Sequence, residues 1–271
     1  MDSLQALVLA LIQGITEFLP VSSSAHLILP AQLLDWPDQG LAFDVAVHVG
    51  TLAACLWLLR GDVASLLSGV FQALKERSWN EGARLAWALS VATLPVVVVG
   101  FTFKDWIETE LRSVMVIATA TLGFGILLGL ADRRRGKVDA GSLGTLNGKQ
   151  ALLIGAAQCL ALIPGTSRSG ITMTAALALG LGREGSARFS FLLSLPTIAG
   201  AGLLASKDLL ESPDPVAWDL IALGAGASAL AAGVVIKAFL AFVARVGMMP
   251  FVIYRVALAG VLFALIAAGL A

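Results

Sequence analysis

The sequence predicts an all-α integral membrane protein with six transmembrane helices and two re-entrant helical hairpins in an inverted-topology repeat. Composition assigns it to the membrane: of 271 residues, 58% are hydrophobic and 13% charged, with a mean hydropathy of +0.89. A soluble domain usually carries about 25% charged residues. The hairpins are predicted because two apolar segments are broken by polar residues into halves too short to span, since crossing takes roughly 20 apolar residues.

Six apolar segments are long enough to cross the bilayer. They cover residues 43–59, 85–103, 114–130, 189–205, 217–235 and 251–271. Two further segments consist of paired half-helices, at 4–15 with 27–34 and at 151–163 with 173–181. Each pair predicts a hairpin that enters and leaves on one face, with its polar tip in a protected cavity.

Lysine and arginine collect in alternate loops, and this bias predicts the orientation of the chain. The basic loops contain Lys75, Arg77, Arg133, Arg134, Arg135, Lys137, Lys149, Arg183, Arg188, Lys237 and Arg245. The acidic or mixed loops contain Asp35, Asp38, Asp105, Glu108, Glu110, Asp208, Glu211 and Asp214. With the basic loops in the cytoplasm, both termini lie outside, and the two hairpins enter from opposite faces.

An internal repeat supports the inverted topology. The run LPVSSS at 19–24 resembles IPGTSR at 163–168. We therefore expect a single membrane domain at 1–271, with repeat half 1 at about 1–131, a cytoplasmic basic loop at about 132–149 and repeat half 2 at about 150–271. Inverted repeats of this kind bring their broken helices together near the membrane midplane.

Several classes of protein are disfavoured. The net charge of +0 argues against a nucleic-acid partner. Cys55 and Cys159 lie far apart in apolar segments without metal-ligand spacing, which indicates neither a disulfide framework nor a zinc site. The acidic Asp2 and Glu17 at the start of the chain argue against a cleaved signal peptide.

The second broken segment carries an arginine at membrane depth. Residues 164–172 read PGTSRSGIT. Arg168 there requires an anion, and the glycine turns, backbone N–H groups and hydroxyls around it predict an oxyanion cradle, most naturally for phosphate. Ser167, Ser169 and Thr172 are the hydroxyls that would complete the cradle, and Thr172 is also a candidate cap of the following half-helix.

The first broken segment carries an acid, a serine run and a histidine. Glu17 is an intramembrane carboxyl and a functional candidate by default, and Gln13 shares its helix face, so that the two oxygens can hold a hard cation such as magnesium. One hydroxyl of the run 22–24 is a candidate nucleophile, and His26 can transfer a proton near neutral pH. The alternatives are a neutral carboxyl hydrogen-bonded to Thr16 and serines that only satisfy broken backbone.

Two further positions keep open interpretations. His48 follows Asp44 by four residues on an ordinary span, which fits either helix packing or substrate access. Arg255, beside Tyr254 near the start of the last span, fits either a second cation facing the cavity or a side chain that snorkels to the interface.

The stretch 13–26 (QGITEFLPVSSSAH) together with 164–172 resembles the two signature motifs of the bacterial undecaprenyl-pyrophosphate phosphatases, the bacitracin-resistance family. The similarity extends over essentially the whole chain, including FSFLL at 189–193 and the stretch 250–255. It implies an enzyme of the bacterial inner membrane that converts undecaprenyl pyrophosphate to the monophosphate lipid carrier of peptidoglycan synthesis, with Mg²⁺ or Ca²⁺ as cofactor. Many members carry glutamate where this chain has Gln13.

Carried over by position, the resemblance implies a set of functional residues consisting of Glu17, Ser23, His26, Ser167, Arg168 and Thr172. In the expected mechanism Arg168, Ser22 and the 167–172 loop bind the phosphates, and Glu17 with Gln13 holds the cation. Ser23 attacks the terminal phosphorus or positions the attacking water, and His26 shuttles the proton.

The expected partners are the polyprenyl pyrophosphate lipid and the bilayer, without nucleic acid; a homo-oligomer is compatible with the sequence. The outward hairpin predicts a site open to the periplasmic face. A flippase for the polyprenyl phosphate carrier is the rival function, because broken helices in inverted repeats are typical of transporters as well.

Overall fold

The computed structural model describes residues 1–34, 36, 39–134, 143, 146–211 and 217–270, and all regular secondary structure in these ranges is helical. The α-helices are α1 Ser3–Thr16, α2 Ser23–Leu33, α3 Gly40–Leu58, α4 Arg60–Glu76, α5 Glu81–Thr102, α6 Lys104–Glu110, α7 Val114–Arg134, α8 Gly148–Cys159, α9 Arg168–Ala178, α10 Arg183–Glu211, α11 Trp218–Arg245 and α12 Met249–Ala267. Of the loop charges used to predict the orientation, Asp35, Asp38, Arg135, Lys137 and Asp214 lie outside the described residues.

The six predicted spans are confirmed as α3, α5, α7, α10, α11 and α12, which within the described ranges are long and apolar enough to cross a membrane. Two of the helices are longer than predicted: α10 has 29 residues, and α11 has 28 residues and ends at Arg245. The difference at α11 concerns a lysine. The prediction ended this span before Lys237, whereas the structure includes that lysine within the helix. A lysine can remain in an apolar helix because its aliphatic stem lies along the surface while the ammonium reaches the interface.

Two short helices were missed by the sequence analysis. The basic segment between the first two spans forms α4, and the acidic segment after the second span forms α6. Leu67, Phe71 and Leu74 project from α4 as exposed apolar side chains at helical spacing. A search for long uncharged segments cannot detect such a helix, because its apolar residues occupy one face only.

The half-helices α1 with α2 and α8 with α9 are compatible with two re-entrant hairpins. Helices α2 and α9 begin at Ser23 and Arg168, earlier than the sequence predicted, so the polar motifs form first helical turns instead of extended loops. The residues before them, Ser22 and Ser167, have φ values of 74° and 70°. This conformation is rare for a residue with a side chain, and it recurs at the same place in both hairpins.

The shared conformation corrects the register of the internal repeat by one residue. The sequence similarity aligned Ser23 with Ser167, whereas the structure makes Ser22 the equivalent of Ser167. The second loop therefore holds one more residue, and Gly165, with φ of 92°, lies in that loop. A glycine adopts this backbone conformation without steric strain.

Helix contacts also recur between the two halves. Helix α1 packs on α11, α8 packs on α5, and the pairs α3 with α10 and α7 with α12 close the interface between the halves. Small residues permit this proximity, since a Cβ at Gly14 would collide with Ser228 of α11 and a Cβ at Gly155 with Ala92 of α5.

Ion pairs join several helices at one end of the molecule. Arg183 at the start of α10 donates two hydrogen bonds to Asp132 near the end of α7, at 2.6 and 2.7 Å. The same carboxylate accepts from the backbone N–H of Met248, before α12. Arg188 binds Asp62 of α4 at 2.8 Å. This end carries most of the basic residues that predicted the cytoplasmic side.

Candidate active site

The tips of the two hairpins meet. Ser169 Oγ of the second hairpin donates to the backbone oxygen of Leu19 in the first, at 2.8 Å. Arg168 Nη2 forms a salt bridge with Glu17 Oε1 at 2.6 Å. Residues separated by about 150 positions in the chain therefore form one polar cluster.

A third element, helix α12, holds the two tips against each other. Arg255 of α12 is fully buried, and its guanidinium donates only to backbone oxygens. The acceptors are Pro20 of the first tip, Gly165 and Thr166 of the second, and Ala120 and Thr121 of α7, at 2.9–3.4 Å. Gly170 leaves room for this group, since a Cβ there would lie 3.0 Å from Nη1.

Both sequence-based interpretations of Arg255 are wrong. The side chain neither borders the polar cavity nor snorkels, because its relative exposure is 0%. Partial negative charges on five carbonyl oxygens take the place of an anion, and a planar guanidinium with five N–H donors suits that task.

Glu17 is the centre of the cluster. One carboxylate oxygen, Oε1, binds Arg168, while Oε2 accepts from Ser23 Oγ at 2.9 Å and from Gln13 Nε2 at 3.0 Å. The Glu17 side chain is buried. Glu17 is also the C-cap residue of α1, and its backbone N–H donates to the carbonyl oxygen of Gln13. The arrangement orients the Ser23 hydroxyl proton toward a carboxylate, which is the relation between a nucleophile and its general base.

A cavity of about 380 Å³ opens beside this cluster. Polar residues border it, namely Glu17, Arg168 and Ser167 together with the serine run 22–24, Asp44, His48 and Thr197. Apolar residues also border it, namely Leu41, Val45, Val96, Ala161, Leu162, Ile198, Ala201, Gly202 and Ala205. The cavity is therefore amphiphilic, because its lining combines charged groups with apolar walls.

Two hydroxyls assigned to phosphate binding lie elsewhere. Ser169 and Thr172 are buried and do not border the cavity. Ser169 bonds across to the first hairpin, and Thr172 Oγ1 contacts the carbonyl of Arg168 at 2.9 Å and Ser190 Oγ at 2.7 Å. Thr172 also does not cap α9, since the Ser167 side chain accepts the bond from Gly170 N–H. In this geometry the Ser169 hydroxyl joins the two hairpins, and the Thr172 hydroxyl contacts the backbone of Arg168.

His26 points away from the cavity. Its Nε2 lies 2.5 Å from the Tyr254 hydroxyl, and its Nδ1 lies 2.7 Å from the backbone oxygen of Ser22. Both ring nitrogens are thus engaged, and the ring stacks on Tyr254. The structure therefore separates His26 from Glu17 and connects it to the backbone of the serine run.

The structure adds Asp44 and His48 of α3 to the site. Both border the cavity, and His48 Nε2 lies 3.9 Å from Glu17 Oε2. The sequence signal for them was present but ambiguous: an acid and a histidine four residues apart occupy one face of a span, and nothing in the sequence reveals what that face contacts.

The donor atoms fit a hard divalent cation. Gln13 Oε1 is buried without a hydrogen-bond partner, while Nε2 of the same amide donates to the carboxylate of Glu17. Carboxylate and amide oxygens are suitable ligands for Mg²⁺ or Ca²⁺, and substrate phosphates commonly supply the remaining ones. Within the described residues no three acidic, histidine or cysteine side chains cluster as a complete protein-only metal site.

The carbonyl contacts of Arg255 yield the first prediction. Arg255→Lys keeps the charge but cannot reach five acceptors, so several carbonyls lose their donor in a buried site. We expect the free energy of unfolding to fall by about 3 kcal/mol. The measurement is the unfolding of purified protein in detergent, with Arg245→Lys, at the exposed end of α11, as the matched control. Equal stability of the two variants would contradict the role given to Arg255.

Comparison with known proteins gives a consistent result over the whole chain. The profile of the family described as Bacitracin resistance protein BacA matches residues 6–261. The chain is similar to an undecaprenyl-diphosphatase of Alcanivorax borkumensis, with 57% identity over 258 residues, covering 95% of this chain and 97% of that protein. It is also similar to the undecaprenyl-diphosphatases of Chromohalobacter salexigens, with 54% identity over 98% of this chain and 100% of that protein, and of Teredinibacter turnerae, with 53% identity over 97% and 99%. The chain therefore belongs to the bacitracin resistance protein BacA family.

Proposed function

We propose that this protein is an undecaprenyl-diphosphatase, which hydrolyses undecaprenyl pyrophosphate to undecaprenyl phosphate and inorganic phosphate and so recycles the lipid carrier of peptidoglycan synthesis. The observation that carries the proposal is the amphiphilic cavity, in which a Glu17–Arg168 pair and a serine run share one lining with apolar side chains. The names of the three relatives agree with it.

The cavity suits a lipid that carries a diphosphate. An isoprenoid chain requires apolar walls, and α10 contributes Ile198 together with the small residues Ala201, Gly202 and Ala205. The rest of a long chain would leave between the helices into the bilayer, where no further protein contact is needed. Arg168 is the single arginine among the described residues that border the cavity.

Phosphate binding is assigned to Arg168 and to two helix N-termini. Helices α2 and α9 begin at Ser23 and Arg168, both of which border the cavity. The N-terminus of a helix attracts anions through its backbone N–H groups and its dipole. Ser22 and Ser167 adopt strained backbone conformations directly before these two N-termini, and their side chains border the same cavity.

The reaction is assigned to Ser23 and Glu17. In one version Ser23 Oγ attacks the terminal phosphorus while its proton passes to the Glu17 carboxylate, and the bond from phosphorus to the bridging oxygen breaks to release undecaprenyl phosphate. Water then hydrolyses the phosphoserine, which releases inorganic phosphate and restores the Ser23 hydroxyl. In the other version Ser23 orients a water molecule that attacks the same phosphorus. Trapping of a phosphoserine separates the two versions. His26 is given a positioning role on the serine run because it does not reach the cavity.

A divalent cation, Mg²⁺ or Ca²⁺, would be held by Glu17 and Gln13 together with substrate oxygens. It would supply positive charge near the diphosphate, which the site requires because Glu17 and Asp44 outnumber Arg168 at the cavity. The residues of the chain still perform binding and orientation and move the proton of Ser23.

The site is proposed to open to the outer face of the bacterial inner membrane, with both termini outside. The cavity is bordered by the start of α3 and the later part of α10. The basic loop residues and the Arg183–Asp132 ion pair lie at the helix ends that are away from the cavity. By the positive-inside rule that opposite end is cytoplasmic.

A flippase remains compatible with broken helices and repeated halves, but it is not favoured, since the relatives carry the names of phosphatases. Phosphate release by detergent-solubilised protein discriminates the two functions, because no bilayer remains to be crossed.

The second prediction concerns the cluster at Glu17. Glu17→Ala, Ser23→Ala and Arg168→Ala should each reduce phosphate release in detergent by about 10²- to 10⁴-fold. The first variant removes the general base, the second removes the nucleophile, and the third removes the positive charge that stabilises the phosphates. The control variants are Glu76→Ala, Ser68→Ala and Arg245→Ala, which carry the same substitutions at exposed positions. Turnover at the wild-type rate in Glu17→Ala or Arg168→Ala would contradict the site, whereas normal turnover in Ser23→Ala would remove only the serine.

The third prediction concerns the apolar wall. A side chain added at Gly202 meets no atom within 4 Å of its Cβ and extends into open space. Gly202→Phe should therefore raise KM for an undecaprenyl substrate by about tenfold. A short-chain prenyl diphosphate should be turned over as before. Gly226→Phe on α11, where the Cβ also meets nothing and which does not border this cavity, is the matched control. Equal losses on both substrates would contradict the assignment of this wall to the tail.

The fourth prediction tests orientation. A cysteine at Ala205 on α10, which borders the cavity, should react from outside the cell with a membrane-impermeant maleimide, while a cysteine at Ser68 on α4 should not. The chain also contains Cys55, which is buried, and Cys159, which is half-buried. The protein without an added cysteine therefore serves as the control for background labelling. The reverse labelling pattern would overturn the proposed orientation.

A further inference from the structure

His48 faces the candidate catalytic carboxylate from a helix that neither signature motif includes. Its Nε2 lies 3.9 Å from Glu17 Oε2, and its side chain is 37% exposed. That exposed part borders the cavity. The reaction proposed above leaves this histidine without a role.

The tautomer of His48 follows from its other nitrogen. Nδ1 lies 2.7 Å from the backbone oxygen of Asp44. A carbonyl oxygen can only accept, so Nδ1 carries the hydrogen and Nε2 presents a lone pair toward Glu17. Histidines that bind metals commonly donate their second N–H in this way, which fixes the orientation of the ring.

The helix around His48 is held in place. Ser228 of α11 donates to the carbonyl of Val47, at 3.0 Å, and Gly50 allows α11 to approach. Gln39 donates to the carboxylate of Asp44 at 3.0 Å, which keeps a second negative charge at the rim of the cavity. The ring of His48 is therefore presented by a rigid element.

Two lone-pair donors thus face each other across a gap. At 3.9 Å, Nε2 and Oε2 are too far apart for a hydrogen bond. Two ligands of one cation with bonds of about 2.1 Å lie roughly 3 to 4 Å apart. A second observation concerns a neighbour of the same carboxylate: Gln13, whose Nε2 donates to Glu17 Oε2, keeps its Oε1 buried without a hydrogen-bond partner.

We propose that His48 is a ligand of the divalent cation, so that α1 and α3 together build the metal site through Glu17 Oε2 and His48 Nε2, with Gln13 Oε1 beside them. The remaining positions belong to water and, if the proposed function holds, to the diphosphate. A nitrogen ligand also predicts that the site accepts Mn²⁺, because imidazole suits transition metals better than it suits Mg²⁺ or Ca²⁺.

The test is Mn²⁺ binding to the full-length protein in detergent, free of affinity tag and imidazole. Pulsed electron paramagnetic resonance detects a coordinated imidazole as ¹⁴N modulation of the Mn²⁺ signal. We expect this modulation in the wild type and in His26→Gln and its loss in His48→Gln. The affinity for Mn²⁺ should fall by about tenfold or more in His48→Gln alone. His26 is the matched control because it is the other histidine of the chain and lies outside the cavity.

The outcomes separate the two proposals. Bound Mn²⁺ without nitrogen modulation in the wild type, unchanged affinity in His48→Gln, or no Mn²⁺ binding would each overturn the role of His48, whether or not a variant folds poorly. Phosphate release is measured on the same wild-type sample. Nitrogen modulation without phosphate release would leave the metal site standing and overturn the phosphatase assignment.

Discussion

The structure depends on a buried guanidinium that binds only carbonyl oxygens. Arg255 contacts both hairpin tips and α7, and no other described side chain reaches all three. Broken helices leave backbone acceptors without partners at membrane depth, where each one is costly. One arginine satisfies carbonyls on both tips at once, and this is why two segments distant in sequence can share one site.

The charge balance of the site follows from that contact. With the tips together, Arg168 is drawn to Glu17, so the main cation of the cavity is already paired before any anion arrives. Asp44 adds a further negative charge at the rim. An anionic lipid therefore needs additional positive charge, and the unpartnered oxygen of Gln13 and the lone pair of His48 indicate where it would lie.

The strained serines connect local structure with binding. Ser22 and Ser167 have positive φ values that cost about 1–3 kcal/mol each, and they persist because the surrounding contacts impose them. The result is that α2 and α9 begin at the cavity, with Ser23 and Arg168 as their first residues. Two helix dipoles and the two key side chains then point at the same space, which neither hairpin provides alone.

The sequence by itself determined the membrane class, the six spans, the two broken segments and the motifs that resemble a phosphatase family, since each depends on composition or on local order along the chain. It also identified Glu17, Ser23 and Arg168, because polar groups at membrane depth are conspicuous in an apolar sequence. Only the tertiary structure decided the direction of His26, the burial of Arg255 and the presence of His48 beside Glu17. The reason is that the sequence shows which residues share a helix face but not which helix packs against that face. The positions of all three side chains depend on contacts with residues more than 20 positions away in the chain, such as the contact of His26 with Tyr254 in the last helix.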